Sequence, residues 1–510
     1  MKNLVLSFLI IAAFSTQAQD HNIKGNIKGI NPTDTVYLAQ YLGKSLFYND
    51  TAIVASDGYF TFQGKPYEEG GKYAVVTPGP KLLEILVDDR ELEFQSDQEN
   101  LDFNMKVVKS KNNKIFYDYK QFIGGKNTER GPLDTVINDS LSTEKEIEDS
   151  RKKLRKLTEE VIEYQKQLVV EHESELVGKI IKMTMDVQVP EAPEGVENER
   201  EWRYRYYREH YWDNTDLTDP RLVREQTYHR LLEKYLTQVI PQIPDSVFIE
   251  GSKLVEKVSE NYDMYKYTLH QLTYLTETSK VMCMDKAFVM TVNKYYKTGK
   301  ADWLTEEKLA NIIEGADKKA NTLCGEVAPN IILPNIEDDG WVNMHQIDAD
   351  YTIIAIWEPS CGHCKKEMPK LQDVYAKYKD QGVKIFGINN DLENKDWKEF
   401  VTEKGLGDWI NVSDNPAVNN SDSARTLIIE GITTLNSLNY RSIYDVTSTP
   451  KIYLLDENKE IIAKQLTSEQ LDGMLENFLN KETETQIQED LDQGLLNEEN
   501  ATEKRKRKTK

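Results

Sequence analysis

Tyr351-Thr352-Ile353-Ile354-Ala355-Ile356-Trp357-Glu358-Pro359-Ser360-Cys361-Gly362-His363-Cys364 runs from an apolar stretch of buried-strand length into Lys365 to Tyr378, which has helical periodicity. A strand that feeds a helix puts Cys361 at the helix N-terminus. Unpaired backbone N–H groups and the positive end of the helix dipole there favour thiolate over thiol. Cys364 lies one helical turn further on, so the two sulfurs come together and the second can resolve a mixed disulfide formed by the first. His363 adds positive charge beside them, which favours the Cys361 thiolate and stabilises the reduced pair. The bland alternatives are half of a zinc site and a passive structural disulfide. A closed zinc site needs two more ligands at suitable spacing, and Cys283, Cys324 and His345 supply no matching second pair. The strand-to-helix position argues against a passive crosslink.

Working outward, the α/β signals continue on both sides. Val383-Lys384-Ile385-Phe386-Gly387-Ile388 reads as a second strand, Lys395 to Glu403 as a helix, and Lys451-Ile452-Tyr453-Leu454-Leu455 as a third strand. Glu460-Ile461-Ile462-Ala463 pairs with that strand across Asp456-Glu457-Asn458-Lys459, ahead of a last helix from Glu469. The expectation is an α/β domain over 323–480, its sheet closed by a hairpin of two strands. Residues 415–441 form a long polar insertion of no legible role. Residues 481–510 read as a charged, disordered tail, acidic first and then Lys504-Arg505-Lys506-Arg507-Lys508.

Upstream, short β-like runs split by turns predict a small antiparallel β domain over 19–110: Thr35 to Leu38, Ala52 to Val54, Tyr59 to Phe62, Tyr73 to Val76 and Leu83 to Val87. Asp57-Gly58 between two of these runs is a hairpin signal. Residues 111–322 read as an all-α domain. Glu144 to Val170 carries the charge pairs of a solvated helix face, and prolines from Pro190 to Pro244 punctuate the rest. The aromatic cluster Trp202, Tyr204, Tyr206, Tyr207, Tyr211 and Trp212 suits packing between helices better than a carbohydrate or peptide site.

The chain has 510 residues and a formal net charge of -22, which speaks against a nucleic-acid partner. Lys2 followed by the apolar run Leu4 to Phe14, with small residues up to Ala18, predicts a signal peptide over 1–18. The mature chain is therefore expected in the periplasm or cell envelope, without a membrane span. Of the four cysteines, Cys283 and Cys324 precede the α/β segment. A structural disulfide, acceptors of electrons from Cys364 and unpaired core residues all fit them.

The segment from Trp357 through Cys361 and Cys364-Lys365-Lys366-Glu367-Met368-Pro369 resembles the TlpA/ResA type of envelope thioredoxin, an AhpC/TSA-related group. Gly325-Glu326-Val327-Ala328-Pro329 is similar to the opening of that family, and Thr449-Pro450 to its cis-proline loop. The resemblance covers the last third of the chain. It implies a thiol–disulfide oxidoreductase with Cys361 attacking and Cys364 resolving, the two forming the redox disulfide. It further implies that Glu367 tunes thiol protonation, and that Thr449 and a cis Pro450 pack against the sulfurs and dock an extended substrate. Protein thiols and disulfides are the implied partners, together with a membrane or envelope electron donor; neither a cofactor nor a metal is implied. The sequence departs from cytoplasmic thioredoxins at Ala355, where those carry a buried Asp, and Gly362-His363 resembles protein disulfide isomerase, which leaves the direction of electron flow open. Two other functions compete. A thiol peroxidase needs Thr or Ser three residues before its cysteine, where this chain has Glu358. An envelope ligand-binding protein would leave the thioredoxin domain vestigial, against the complete Cys361, Cys364 and Pro450 set.

Overall fold

The computed structural model describes residues 21–64, 70–337, 340–391, 396–414 and 422–492. The expected signal peptide, the start of the polar insertion and the basic end of the chain lie outside them. The chain divides into two compact units. One runs to Pro241 and includes Glu250–Gln271; the other comprises Gln242–Ile249 and everything from Leu272.

The first unit holds eight strands: β1 (His21–Lys28), β2 (Thr35–Leu42), β3 (Ser45–Ile53), β4 (Tyr59–Gly64), β5 (Gly71–Thr77), β6 (Lys81–Val87), β7 (Glu91–Asp97) and β8 (Lys106–Lys109), with burial alternating along β7 and complete along β5. They form two four-stranded sheets of order β4-β1-β7-β8 and β3-β2-β5-β6. The expected hairpin at Asp57-Gly58 is a correction. The turn forms, with Gly58 at φ +80° and Asp57 Oδ1 accepting from the Tyr59 amide at 3.1 Å. However, β3 pairs with β2 while β4 pairs with β1, so the turn carries the chain from one sheet to the other. Turn chemistry sets a reversal, not the partner of the strand that follows. Nor is the region purely antiparallel, since β1 and β7 run parallel.

Helices follow: α1 (Lys111–Asn138), α2 (Glu144–Glu171), α3 (Leu176–Met183), α4 (Glu199–Glu209), α5 (Gln226–Lys234), α6 (Pro244–Lys257), α7 (Tyr262–Glu277), α8 (Asp285–Thr291) and α9 (Glu306–Ala320). A reciprocal capping box between Thr143 and Glu146 starts α2. The aromatic cluster is partly internal, with Tyr211 and Trp212 buried and both rings against Tyr235. The helical stretch, expected as one domain, is shared between the two units. Helix α8 and the residues after α9 are held to the second unit by long-range bonds: buried Lys464 binds Asp285 and donates to the Thr322 carbonyl at 2.6 Å. A disulfide joins Cys283 to Cys324.

The second unit then adds a small two-stranded ribbon, β9 (Ile332–Pro334) with β10 (Trp341–Asn343), and a five-stranded sheet. The sheet elements are β11 (Tyr351–Trp357), α10 (Cys364–Tyr378), β12 (Val383–Asn389), α11 (Trp397–Glu403), β13 (Ile410–Ser413), α12 (Asp422–Ile429), α13 (Leu435–Leu438), α14 (Tyr440–Ile443), β14 (Lys451–Leu455), β15 (Ile461–Lys464) and α15 (Ser468–Asp492). Strand order is β13-β12-β11-β14-β15, with β11 parallel to β12 and antiparallel to β14. Every residue of β11 is buried, as an apolar run covered on both faces requires. Its odd-numbered members Ile353, Ala355 and Trp357 join Cys364, Met368, Leu371, Leu471 and Leu475 on one face. Ile354 and Ile356 join Phe386, Ile388, Tyr440 and Tyr444 on the other. The last helix reaches Asp492, past residue 480 where the tail was expected to begin. The added stretch is rich in Glu and Gln, which sustain a helix as readily as they solvate a coil. Among the described residues no helix is long and apolar enough to cross a membrane.

Candidate active site

Strand β11 ends at Trp357, whose carbonyl accepts from the Asn390 amide at 2.7 Å and so closes that end of the sheet. The chain then turns, with the Cys361 amide donating to the Glu358 carbonyl at 3.3 Å, and enters α10 at Cys364. Helix α10 buries Cys364, Met368, Leu371, Val374 and Tyr375, the spacing of an apolar stripe facing the sheet. Cys364 is the first member of that stripe and is fully buried. Cys361 precedes the helix and sits at its rim, half-buried.

Both thiols are free. The backbone N–H of Cys364 donates to Cys361 Sγ at 3.3 Å, and the Cys361 thiol donates to the Thr449 carbonyl at 3.3 Å. The peptide between Thr449 and Pro450 is cis. Partial burial works against ionisation of Cys361. Hydrogen bonds at Thr449 and Cys364 and from the backbone of Cys364 and His363 outweigh it, and the thiol lies below an ordinary cysteine. Amide donors aimed at sulfur are the part of this set that favours thiolate. Cys364 goes the other way, pushed up to about 12 chiefly by burial. The helix entry thus makes two unlike thiols from two like residues.

The two residues expected to tune the thiols stand differently. His363 is exposed, and its backbone N–H is the weakest of the groups that lower the Cys361 thiol. Its φ of -72° is one that proline adopts. His363→Ala should therefore leave the Cys361 pKa close to native. His363→Pro, which deletes the N–H, should raise it. Thiolate absorbance against pH separates the two, and an equal rise in both variants would put the effect in the imidazole. The Glu367 carboxylate accepts the Ser468 amide at 2.6 Å and so caps α15. Sequence reading missed this partner because 101 residues separate the two.

A further polar group frames the far side of the loop. Arg441 makes a bidentate pair with Asp414 at 2.6 and 2.9 Å and donates to the Asn390 carbonyl at 3.2 Å. Its guanidinium lies 4.7 Å from the Tyr440 ring centroid. Arg441 closes the polar insertion, and nothing in the local sequence signals its partner. The disulfide between Cys283 and Cys324 answers the question left open for them and takes both thiols out of any zinc ligand set.

Comparison with known proteins matches the AhpC/TSA family over residues 324–464. Residues 324–464 belong to the AhpC/TSA family. Two domains of unknown function precede it, DUF4369 over 21–116 and DUF5106 over 141–319. The thiol-disulfide oxidoreductase ResA of Bacillus thuringiensis (strain Al Hakam) is 26% identical over 168 residues, 33% of this chain and 83% of the relative. ResA of Halalkalibacterium halodurans is 24% identical over 155 residues, 30% of this chain and 74% of the relative. Among solved structures, a thioredoxin-like protein from Bacteroides caccae is 18% identical with a TM-score of 0.42, covering 57% of this chain and 98% of its own. A domain of a possible thiol-disulfide isomerase from Cytophaga hutchinsonii is 31% identical with a TM-score of 0.26, covering 32% and 99%. With its dithiol at the head of α10, the AhpC/TSA segment is a thioredoxin-like thiol–disulfide oxidoreductase domain.

Proposed function

We propose that the chain is exported to the periplasm or cell envelope and exchanges electrons with protein disulfides, Cys361 attacking and Cys364 resolving. The carrying observation is the asymmetry of the pair: an accessible thiol lowered by amide donors beside a buried thiol pushed up to about 12. In the reducing direction the Cys361 thiolate attacks one sulfur of the substrate disulfide, whose S–S bond breaks and whose other sulfur leaves as a thiolate and takes a proton. Cys364, deprotonated, then attacks Cys361 Sγ and releases the second substrate thiol. The enzyme is left as the Cys361–Cys364 disulfide, two electrons having passed to the substrate, and a membrane or envelope electron donor resets it. Thr449 and Pro450 stand beside Cys361 and offer backbone to an extended substrate. Export is supported by the leader-like pattern of Lys2 and the apolar run Leu4 to Phe14, and by the Cys283–Cys324 disulfide, which suits an oxidising compartment.

Trapping tests the roles. Cys364→Ser should accumulate mixed disulfides with client proteins on Cys361, visible as dithiothreitol-sensitive bands after acid quench. Bands that form in Cys361→Ser and not in Cys364→Ser would reverse the assignment.

A further inference from the structure

A groove of about 340 Å³ opens in the second unit between the loop that joins β15 to α15 and the segment Ser279–Met282. One wall is Gln465, Leu466 and Met474 with Glu469 and Gln470 beside them; the other is Lys280 with Val281 and Met282, two apolar side chains each 41% exposed. An exposed valine and methionine side by side need a reason, and methionine is the side chain that adapts to varied apolar surfaces.

The register of the sheet places this groove. Ile356 at the end of β11 pairs with Lys451, the residue after Pro450. Tyr453 pairs with Lys464, and the Leu466 amide donates to the Ile452 carbonyl. The end of β11 that leads to Cys361, the start of β14 and the end of β15 therefore lie at one end of the sheet. Strands spaced at about 4.8 Å put the β15 end about 10 Å across the sheet from the β11 end. Cys361 Sγ lies 3.3 Å from the carbonyl of Thr449, just ahead of β14. An extended polypeptide rises about 3.3 Å per residue, so a chain with its cysteine there reaches the groove two or three residues away.

The outer wall is fastened to the same edge strand. Cys283, next after Met282, is disulfide-bonded to Cys324. Just beyond, the Gly325 amide donates to the Ile461 carbonyl, and the Ile461 amide donates back to Glu326. Asp285 and the Thr322 carbonyl hold Lys464 itself. The Ser279 hydroxyl accepts from the Val281 amide at 3.1 Å and shapes the loop between. Both walls thus move with β15.

We propose that this groove is a specificity subsite for a disulfide-bearing polypeptide, taking an apolar side chain two or three residues from the substrate cysteine, with Val281 and Met282 as the selecting residues. This rests on the reading of Cys361 as the attacking thiol. The test uses the full chain, oxidised glutathione, and disulfide-linked peptides with Leu or Asp at the second and third positions on either side of the cysteine. Serine-substituted, redox-inert copies of the peptides report binding alone. The native chain is expected to bind and exchange the Leu peptide about tenfold better than the Asp peptide. Val281→Asp with Met282→Asp should erase that preference and leave exchange with glutathione unchanged, which also shows that the variant is folded. Equal treatment of the two peptides by the native chain, or a preference that survives the double substitution, overturns the subsite. Selective binding of the inert Leu peptide without any glutathione exchange would uphold the groove and instead sink the role given to Cys361.

Discussion

Asp414→Ala should lower the stability of the second unit by about 3–5 kcal/mol, the loss expected when one partner of a buried ion pair is removed. The Asp414 side chain is wholly buried and both its oxygens are taken by Arg441. Without it the Arg441 guanidinium, itself largely covered, keeps the Asn390 carbonyl and the face of Tyr440 but loses its bidentate counter-ion. The effect should reach the site. Asn390 is also the residue whose amide binds the Trp357 carbonyl, and the Tyr440 hydroxyl donates to the Asn389 carbonyl at 3.3 Å. Replacing both partners by apolar residues, Asp414→Leu with Arg441→Met, should recover much of the loss, because it leaves no unpaired charge behind. Urea unfolding of the three proteins measures this. A loss under about 1 kcal/mol for Asp414→Ala would mean that water reaches the guanidinium and that the pair behaves as a surface bridge.

That pair marks where local reading stopped. The strand into Cys361, the helix from Cys364 and the strand after Pro450 were legible because each is written in contiguous residues: an unbroken apolar run, a stripe at helical spacing, a proline just ahead of a β run. The polar insertion carried no such pattern. Its structural weight rests on Tyr440 and Arg441 at its far end, each bonded to residues in other elements. Glu367 shows the same limit at closer range. The family resemblance implies a role in thiol protonation for it, and its carboxylate also accepts the amide that starts the helix at Ser468, a partner no local pattern signals. The imidazole of His363 was expected to act by charge; the backbone amide after it, that of Cys364, is what reaches the sulfur. Cys283 and Cys324 could not be paired on paper, because their separation of 41 residues fits a bridge and two free thiols equally well. Nor could Asp57-Gly58 announce that its two strands enter different sheets.

The unlike thiols also predict unlike pH dependences for the two halves of the exchange. Attack needs the Cys361 thiolate, and hydrogen bonds at Thr449, Cys364 and His363 outweigh partial burial and hold that thiol below an ordinary cysteine. The rate of mixed-disulfide formation should therefore rise with pH only until Cys361 is ionised and then level off. Resolution needs the Cys364 thiolate, and burial pushes that thiol to about 12. Below that value each pH unit multiplies the thiolate fraction by about ten, so decay of the mixed disulfide should accelerate about tenfold per unit from pH 6 to 9. The intermediate should accumulate in mild acid and vanish in mild alkali. Internal bases that would flatten the slope are poorly placed: Ala355 occupies the buried strand position where cytoplasmic thioredoxins carry Asp, and the Glu367 carboxylate is engaged by the Ser468 amide. Stopped-flow mixing with quench at each pH, followed by thiol alkylation, gives both rates from one experiment. A flat decay rate that turns steep in Glu367→Gln would show that Glu367 leaves Ser468 to take the Cys364 proton. A decay rate flat in both proteins would sink the claim that Cys364 ionisation controls resolution.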